Sequence, residues 1–338
     1  MFTIIRSGML TTIQDLGRHG YQQYGVSVSG AMDTFAHRIA NLLVGNDEQQ
    51  ATLEMTLIGP AILFENDTFI SICGADLSPT IDNEPLPLWR PIFVRKGSKL
   101  SFGFCKNGCR AYLAIAGGIH VANVMGSRST FLKARIGGVQ GRTVQSGDQL
   151  SSYSPSPYIT KLIERSTCMM TTKNHLPLKW HISYECIPHF NKKHTVFVMK
   201  GKHFSQFTRD SQEQFFTKPF TISMKSDRVG YRLKGTALSL AEPKEYLSEP
   251  VTFGSIQVPT NGRPILLMAD HQTTGGHPRI GEVASVDLPL IAQLKPGDVL
   301  SFQEISVQQA QRLLLEREAM IGVLKQGIKL ALKGAGNT

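Results

Sequence analysis

Two stretches of this chain repeat one design, and that repetition most narrows the folds open to it. Asn107-Gly108 opens an apolar run, Cys109 to Ala116, that ends at Gly117-Gly118. Asn261-Gly262 opens another, Arg263 to Ala269, that ends in Asp270-His271-Gln272. A Gly-Asp pair and a further strand-like stretch follow each, at Gly147-Asp148-Gln149-Leu150 and at Gly297-Asp298-Val299-Leu300. The copies stand 154 residues apart at the first match (261 against 107) and 150 at the second (297 against 147). Near-equal offsets imply two related β-rich domains. The expected ranges are residues 1–155 and 175–305, with a C-terminal helix and tail at 306–338. Ser151 to Pro157, rich in Ser and Pro, reads as the linker, running on into the polar stretch before Leu178. Twin domains side by side would form a cleft, a favoured place for a ligand.

Short apolar runs punctuated by glycine predict strands at Phe2 to Arg6, Thr52 to Ile58, Thr68 to Cys73, Ile92 to Val94 and Arg110 to Ala116. More follow at Lys179 to Ser183, Thr195 to Met199, Thr221 to Met224, Ser255 to Val258, Pro264 to Met268 and Val299 to Phe302. Helices are few. Ala31 to Val44 places Phe35, Ile39, Leu42 and Leu43 on one face, with Ser29 as cap and Gly45 as stop. A short helix is expected at Leu288 to Leu294, capped by Asp287. Another starts after Ser306 and frays beyond about Lys325.

Length and a hydrophobic share of 41% allow two cores of ordinary size. No apolar run is long enough to span a bilayer, and Met1 to Leu10 lacks the features of a secretory leader, so the cytoplasm is expected and a membrane is not. The formal charge of +10 calls for an anionic ligand or an acidic protein partner. Aromatics do not interleave with the basic residues, which argues against nucleic acid. Cys105 and Cys109 flank a turn-like Lys106-Asn107-Gly108, but without a second pair they make a poor zinc site. Reduced thiols and no metal are expected.

The run Ala269 to Arg279 gathers an acid, an amide, two hydroxyls and two glycines directly after the apolar stretch Pro264 to Met268. A strand ending this way points polar side chains and backbone N–H groups into one small space, and glycine lets a ligand approach the main chain. A plain hairpin turn, with Asp270 bonding its own backbone, is the competing reading.

Several motifs resemble the allophanate hydrolase subunit 2 family, also called the biotin-dependent carboxyltransferase family. They are Val26-Ser27-Val28-Ser29-Gly30-Ala31-Met32-Asp33, Arg38 to Asn46, Leu53-Glu54-Met55-Thr56, Ala114 to Ile119 with Gly126-Ser127-Arg128-Ser129-Thr130, Arg228-Val229-Gly230-Tyr231-Arg232-Leu233, and Ala269 to Ile280. They run colinearly over about residues 3 to 305. The family includes the C subunit of 5-oxoprolinase, the regulator KipA and the carboxyltransferase domain of urea amidolyase. The resemblance implies a mainly β chain of two cyclophilin-like β-barrel domains with a few short helices. It implies one subunit of an ATP-dependent 5-oxoprolinase that cleaves 5-oxo-L-proline to L-glutamate with subunits A and B. The alternatives it leaves are a biotin-dependent carboxyltransferase acting on urea or a similar amide, and a KipA-like regulator of a KipI-type kinase inhibitor. Relatives often carry tyrosine and lysine where this chain has His277 and Arg279. Arginine still binds a carboxylate but transfers no proton.

No ATP site is expected in this chain. Gly137-Gly138-Val139-Gln140-Gly141-Arg142-Thr143 lacks the first glycine and the lysine of a P-loop and reads as a glycine-rich surface loop. Met199-Lys200 and Met224-Lys225 only faintly echo a biotin-attachment dipeptide. No cofactor is therefore expected on this chain alone, and ATP, or biotin in the alternative, is handled by the complex. Both leading reactions act on an amide-like group, which needs a carboxylate for N–H, donors for developing negative oxygen and a cation for an anionic group. As a hypothesis, Asp270 orients the amide, while Gln272, Thr273, Gly275 and Gly276 donate to oxygen and Arg279 pairs with an anion. Ser29, Gly30 and Asp33 would supply anion-binding N–H groups, and Arg228 and Tyr231 would complete the wall. Ser29 as a plain helix cap and Arg228 as a structural brace are the competing readings.

Overall fold

Mainly β architecture is what the alternating and apolar runs produce, in a computed structural model that describes residues 1–169, 173–190 and 193–337. Two compact units share the chain. The first holds residues 1–17, 33–189 and 320–338, and the second holds 18–32 and 190–319. These bounds differ from the expected 1–155 and 175–305. The stretch read as a linker is ordered instead: Ser151 and Ser152 end the strand Gln149–Ser152, and Pro157 opens helix α2 (Pro157–Met169). Its Ile159 and Leu162 are buried, which the Ser/Pro-rich composition hid. Residues 170–172 of the expected linker lie outside the described residues. Beyond them His175–Pro177 pairs with Ile92–Val94, still in the first unit.

The first unit stacks its core between two antiparallel sheets. The six-stranded sheet centres on Asn107–Ile115, between Thr52–Thr56 and Thr68–Asp76. The seven-stranded sheet carries Phe2–Arg6 between Gln149–Ser152 and Ala61–Phe64. Phe2, Ile4, Ile62, Phe64, Ile72 and Leu113 fill the space between. Helix α1 (Thr34–Leu43) buries the face anticipated from its periodicity, including Phe35, Ile39, Leu42 and Leu43. Its cap is Asp33, whose carboxylate accepts from the Ala36 N–H at 2.8 Å. Ser29 lies four residues earlier in a left-handed conformation (φ 58°) and is not the cap of this helix.

A seven-stranded closed barrel forms the second unit. Its strands, in order around the barrel, are Lys193–Lys200, Arg279–Val283, Ser255–Gln257, Ile265–Leu267, Gly230–Lys234, Phe220–Ile222 and Val299–Glu304. Closure comes from a parallel pairing of the first strand with the last. Phe215 from helix α3 (Arg209–Thr217) packs on Phe302 at 4.8 Å between ring centroids, and Phe220 joins them at 5.6 Å. Lys179 to Ser183 forms no strand and leads into the 3₁₀ turn Tyr184–Cys186. Asp287 precedes helix α4 (Leu288–Ala292) but does not cap it. Its carboxylate accepts from the Phe197 N–H at 2.6 Å instead.

The last helix, α5 (Val307–Asn337), does not fray at Lys325. Ile328 and Leu332, one turn apart, are buried, and Lys325 Nζ meets Glu48 Oε1 at 2.7 Å. Among the described residues no helix is long and apolar enough to cross a membrane.

His37 on α1 carries a testable consequence of this packing. The ring is fully buried, with Nδ1 at 2.9 Å from Thr52 Oγ1 and Nε2 at 3.1 Å from the Glu48 carbonyl. Burial pushes its pKa down to about 4. Because the folded value lies below the unfolded one, the contribution of the neutral ring is complete above about pH 6.5 and is lost as pH falls towards about 4. Between those limits the unfolding free energy should drop by about 3 kcal/mol more in the wild type than in His37→Gln. Denaturant titrations at stepped pH measure the difference, and parallel curves would refute it.

Candidate functional site

The polar run after Ile265–Leu267 begins in a buried brace. Asp270 is 5% exposed, and both of its carboxylate oxygens are engaged within the second unit. Arg228 donates from Nε to Oδ2 and from a terminal nitrogen to Oδ1, each at 2.9 Å. Ser29 Oγ donates to Oδ1 at 2.6 Å, and Arg228 also reaches the Gly30 carbonyl at 2.7 Å. The backbone agrees: the Asp270 N–H donates to the Arg228 carbonyl at 2.8 Å, and Ser27 Oγ donates to the His271 carbonyl at 2.6 Å. Left-handed Ser29 and Gly30 (φ 92°) give the segment the bend that turns the Ser29 hydroxyl onto Asp270.

Sequence expectation and geometry part company here. Asp270, expected as the amide-orienting acid, accepts three hydrogen bonds from protein donors and ties the loops that carry it. Arg228 is the structural brace. Ser29 and Gly30 do gather at Asp270, as its partners. Asp33 belongs to the first unit, where its carboxylate caps α1 and its N–H donates to Tyr112 Oη at 2.8 Å. Tyr231 lies in the barrel core with its hydroxyl on the Leu294 carbonyl.

Beyond the brace the run opens. Thr274–Gly275 pairs with Glu249–Pro250 in a two-stranded ribbon that brings Glu249 to Arg279, while Glu282 lies on Arg279's own strand. Arg279 donates to Glu282 Oε1 at 3.2 Å and to Glu249 Oε2 at 3.3 Å. Lys202 Nζ lies 2.6 Å from Glu249 Oε1 and holds that carboxyl below its usual range. Burial lifts the Glu282 carboxyl above the usual range, against hydrogen bonds from Ser255 and Thr252 and the charge of Arg279. Two carboxyls thus flank one guanidinium with their proton affinities driven apart. Gln272 is exposed, and its amide approaches Gln257 Oε1 at 3.5 Å. A Cβ on Gly275 would fall 2.4 Å from Gln257 Nε2, so a larger residue there would have to displace that amide. Thr273 contributes its carbonyl to the Val251 N–H.

His203 completes the cluster. The Arg279 N–H donates to its Nδ1 at 3.0 Å, which makes Nδ1 an acceptor and places the ring hydrogen on Nε2. Burial lowers its pKa, so the neutral form persists. Its ring meets Tyr246 edge-on at 4.8 Å. Tyr246, His277 and Gly276 then line an open groove of ≈ 860 Å³, with Phe207, Leu238 and Pro259 as apolar wall. His203, Glu249, Gln257 and Glu282 escape the sequence reading. The first three lie apart from the polar run, in segments whose pairing only the fold reveals. Glu282 sits three residues after Arg279, a spacing that was open to notice.

The glycine-rich loop and Lys200 are both taken up by contacts within the fold. Residues 131–142 wind on themselves through the bridges Phe131 to Ile136 and Val139 to Arg142, and Arg142 is paired with Asp148 at 2.7 Å. A Cβ on Gly138 would fall 1.9 Å from Thr130 Oγ1, so that loop is packed inward. Lys200 is ion-paired with Glu304 at 2.8 Å.

Residues 24–304 match the family described as carboxyltransferase domain, subdomain A and B. The chain belongs to that family. Its relatives include the 5-oxoprolinase C subunit of Escherichia coli, 39% identical over 92% of this chain and 93% of that protein. The 5-oxoprolinase C subunit of Haemophilus influenzae is 35% identical over 96% and 98%. Among solved structures, K. lactis urea amidolyase superposes with a TM-score of 0.85 at 32% identity, covering 95% of this chain and 20% of that one. This chain therefore spans nearly the whole of the two bacterial relatives and about a fifth of the urea amidolyase.

The brace makes a sharp prediction. Asp270→Ala leaves a buried guanidinium without its counter-charge and should cost about 3–5 kcal/mol, whereas Arg228→Met with Asp270→Leu should cost markedly less than the sum of the single changes. Urea unfolding of the wild type, the single variants and the double variant measures both, and additive losses would remove the pair from this role.

Proposed function

We propose that this chain acts as the C subunit of a cytoplasmic, ATP-dependent 5-oxoprolinase, working with subunits A and B to open 5-oxo-L-proline to L-glutamate. The observation that carries the reading is end-to-end similarity to the C subunits of two bacterial 5-oxoprolinases, with 93% and 98% of their lengths covered. On this reading ATP is a substrate of the complex, as it is for an ATP-dependent 5-oxoprolinase.

The polar cluster supports the same chemistry. A five-membered lactam holds its amide cis, so the C=O and N–H point from adjacent edges and need a donor and an acceptor side by side. His203 Nε2–H is the donor for the carbonyl oxygen, where negative charge develops. Glu282 is the acceptor for the lactam N–H, and its raised proton affinity suits it to exchange a proton during ring opening. Arg279 uses two of its N–H groups on the glutamates, and the others are available to the substrate carboxylate. Protonation of Glu282 would leave the charge of Arg279 less compensated and strengthen that grip. Gln272, Gly275 and Gly276 frame the approach, while Asp270, Thr273, Ser29 and Gly30 hold the loops that carry it.

A second reading, carboxyl transfer to urea or a related amide, draws on the family description and the fit to urea amidolyase. It needs a biotin carrier and a biotin carboxylase from other chains.

Reconstitution decides between them. Purified chain with subunits A and B should form glutamate from 5-oxoproline and ATP, and omission of this chain should abolish it. His203→Ala and Glu282→Gln should each lower kcat/KM about 10²-fold with unchanged thermal unfolding. Full glutamate formation without this chain would overturn the assignment, and urea-dependent carboxyl transfer with a biotin carboxylase would favour the second reading.

A further inference from the structure

The last two-thirds of α5 presents a face that the rest of the first unit leaves uncovered. Ile321, Ile328 and Leu332 point inward and are buried, whereas Val323 and Leu330 on the other side are 74% and 71% exposed. Val323, Gly327, Leu330 and Gly334 follow one another at intervals of four, three and four residues, the spacing of a two-helix seam. Nothing lies within 4 Å of where a Cβ on Gly327 would stand, so a second backbone can approach closely there.

The two borders of this seam differ. One carries Gln326, Lys329 and Lys333. Residues 319–337 contain three lysines and no acidic residue, and only Lys325 is ion-paired, to Glu48, among the described residues. The other border falls into a groove of ≈ 290 Å³, where Leu324, Ile328 and Ala331 face Trp180 and Ile182. The Trp180 indole N–H at that groove has no hydrogen-bond acceptor among the described residues, a rare condition for a buried donor.

We infer that this face docks an acidic amphipathic helix of another protein chain. Charge decides the occupant. A second copy would set lysine against lysine or glutamine along the seam, with no acid to answer, which disfavours self-pairing. A lipid surface calls for a broad apolar face with large side chains, whereas this seam alternates Val and Leu with Gly beside a walled groove. A helix with Asp or Glu along one border answers Lys329 and Lys333. A Leu or aromatic residue on its other border fills the groove beside Trp180. Resting on the function proposed above, the partner is another member of the oxoprolinase complex.

Binding of the full chain to purified subunits A and B, by calorimetry at low and high salt, tests this. Wild type should bind one of them and lose about tenfold in affinity between about 0.05 M and about 0.5 M salt. Lys329→Glu with Lys333→Glu, and separately Val323→Ser with Leu330→Ser, should each weaken binding about tenfold or more, with helix content unchanged by circular dichroism. Equal binding by the variants, where wild type forms an active complex, overturns the docking face and leaves the proposed function standing. Absence of both binding and glutamate formation with wild type overturns the function and the partner together. Dimerisation in light scattering, or capture by anionic vesicles, that these substitutions abolish would also overturn it.

Discussion

A buried ion pair that joins distant parts of the sequence underlies the arrangement of the second unit. Arg228 and Asp270 meet in a two-pronged contact, and Ser29 and Gly30 close around it. Burying two charges is costly unless every lone pair and donor finds a partner. Here further carboxylate and guanidinium capacity goes to a hydroxyl and a backbone carbonyl from a segment 198 residues or more upstream. The pair thereby converts an electrostatic liability into a positional constraint: the loop after Ile265–Leu267 can leave the barrel in one direction only. The ribbon that precedes the Arg279 strand follows from that exit.

The cluster around Arg279 works on the opposite principle. Its four charged side chains balance as two cations and two anions, and they remain partly open to solvent. Balance makes the cluster responsive. Displacing or protonating one carboxyl changes the local charge by a full unit beside a guanidinium already held in a fixed orientation. The neutral imidazole of His203, its hydrogen fixed on one nitrogen by a backbone N–H, adds a directional donor that pH changes near neutrality do not alter.

Much of this was open to sequence reading, for identifiable reasons. Phe35, Ile39, Leu42 and Leu43 gave α1 its periodicity, and apolar runs between glycines located most strands, because both signals are local. The echo between residues 107–118 and 261–272 disclosed two β-rich units. What failed was non-local. Asp33 displaced Ser29 as the cap because Ser29 was drawn to Asp270, 241 residues away. Tyr231 looked like a site residue, yet strand pairing turned it into the core. The polar helix α3 was hidden by its composition, since one side chain, Phe215, anchors it among the barrel aromatics. Glu249 and His203 carried no signal of their own and acquire meaning only when the ribbon and the barrel bring them to Arg279.

The parallel closure of the barrel has a bearing on how the chain is made. Lys193–Lys200 must wait for Val299–Glu304, about a hundred residues later, before the ring can shut. Arg18–Met32, synthesised long before either, has no home in its unit until Arg228 and Asp270 emerge. Nascent chains therefore leave the ribosome with an early segment unmated and an open sheet edge, a state of high contact order that folds slowly and invites association. Synthesis of this protein should be unusually dependent on chaperones that shield that edge until translation passes residue 304.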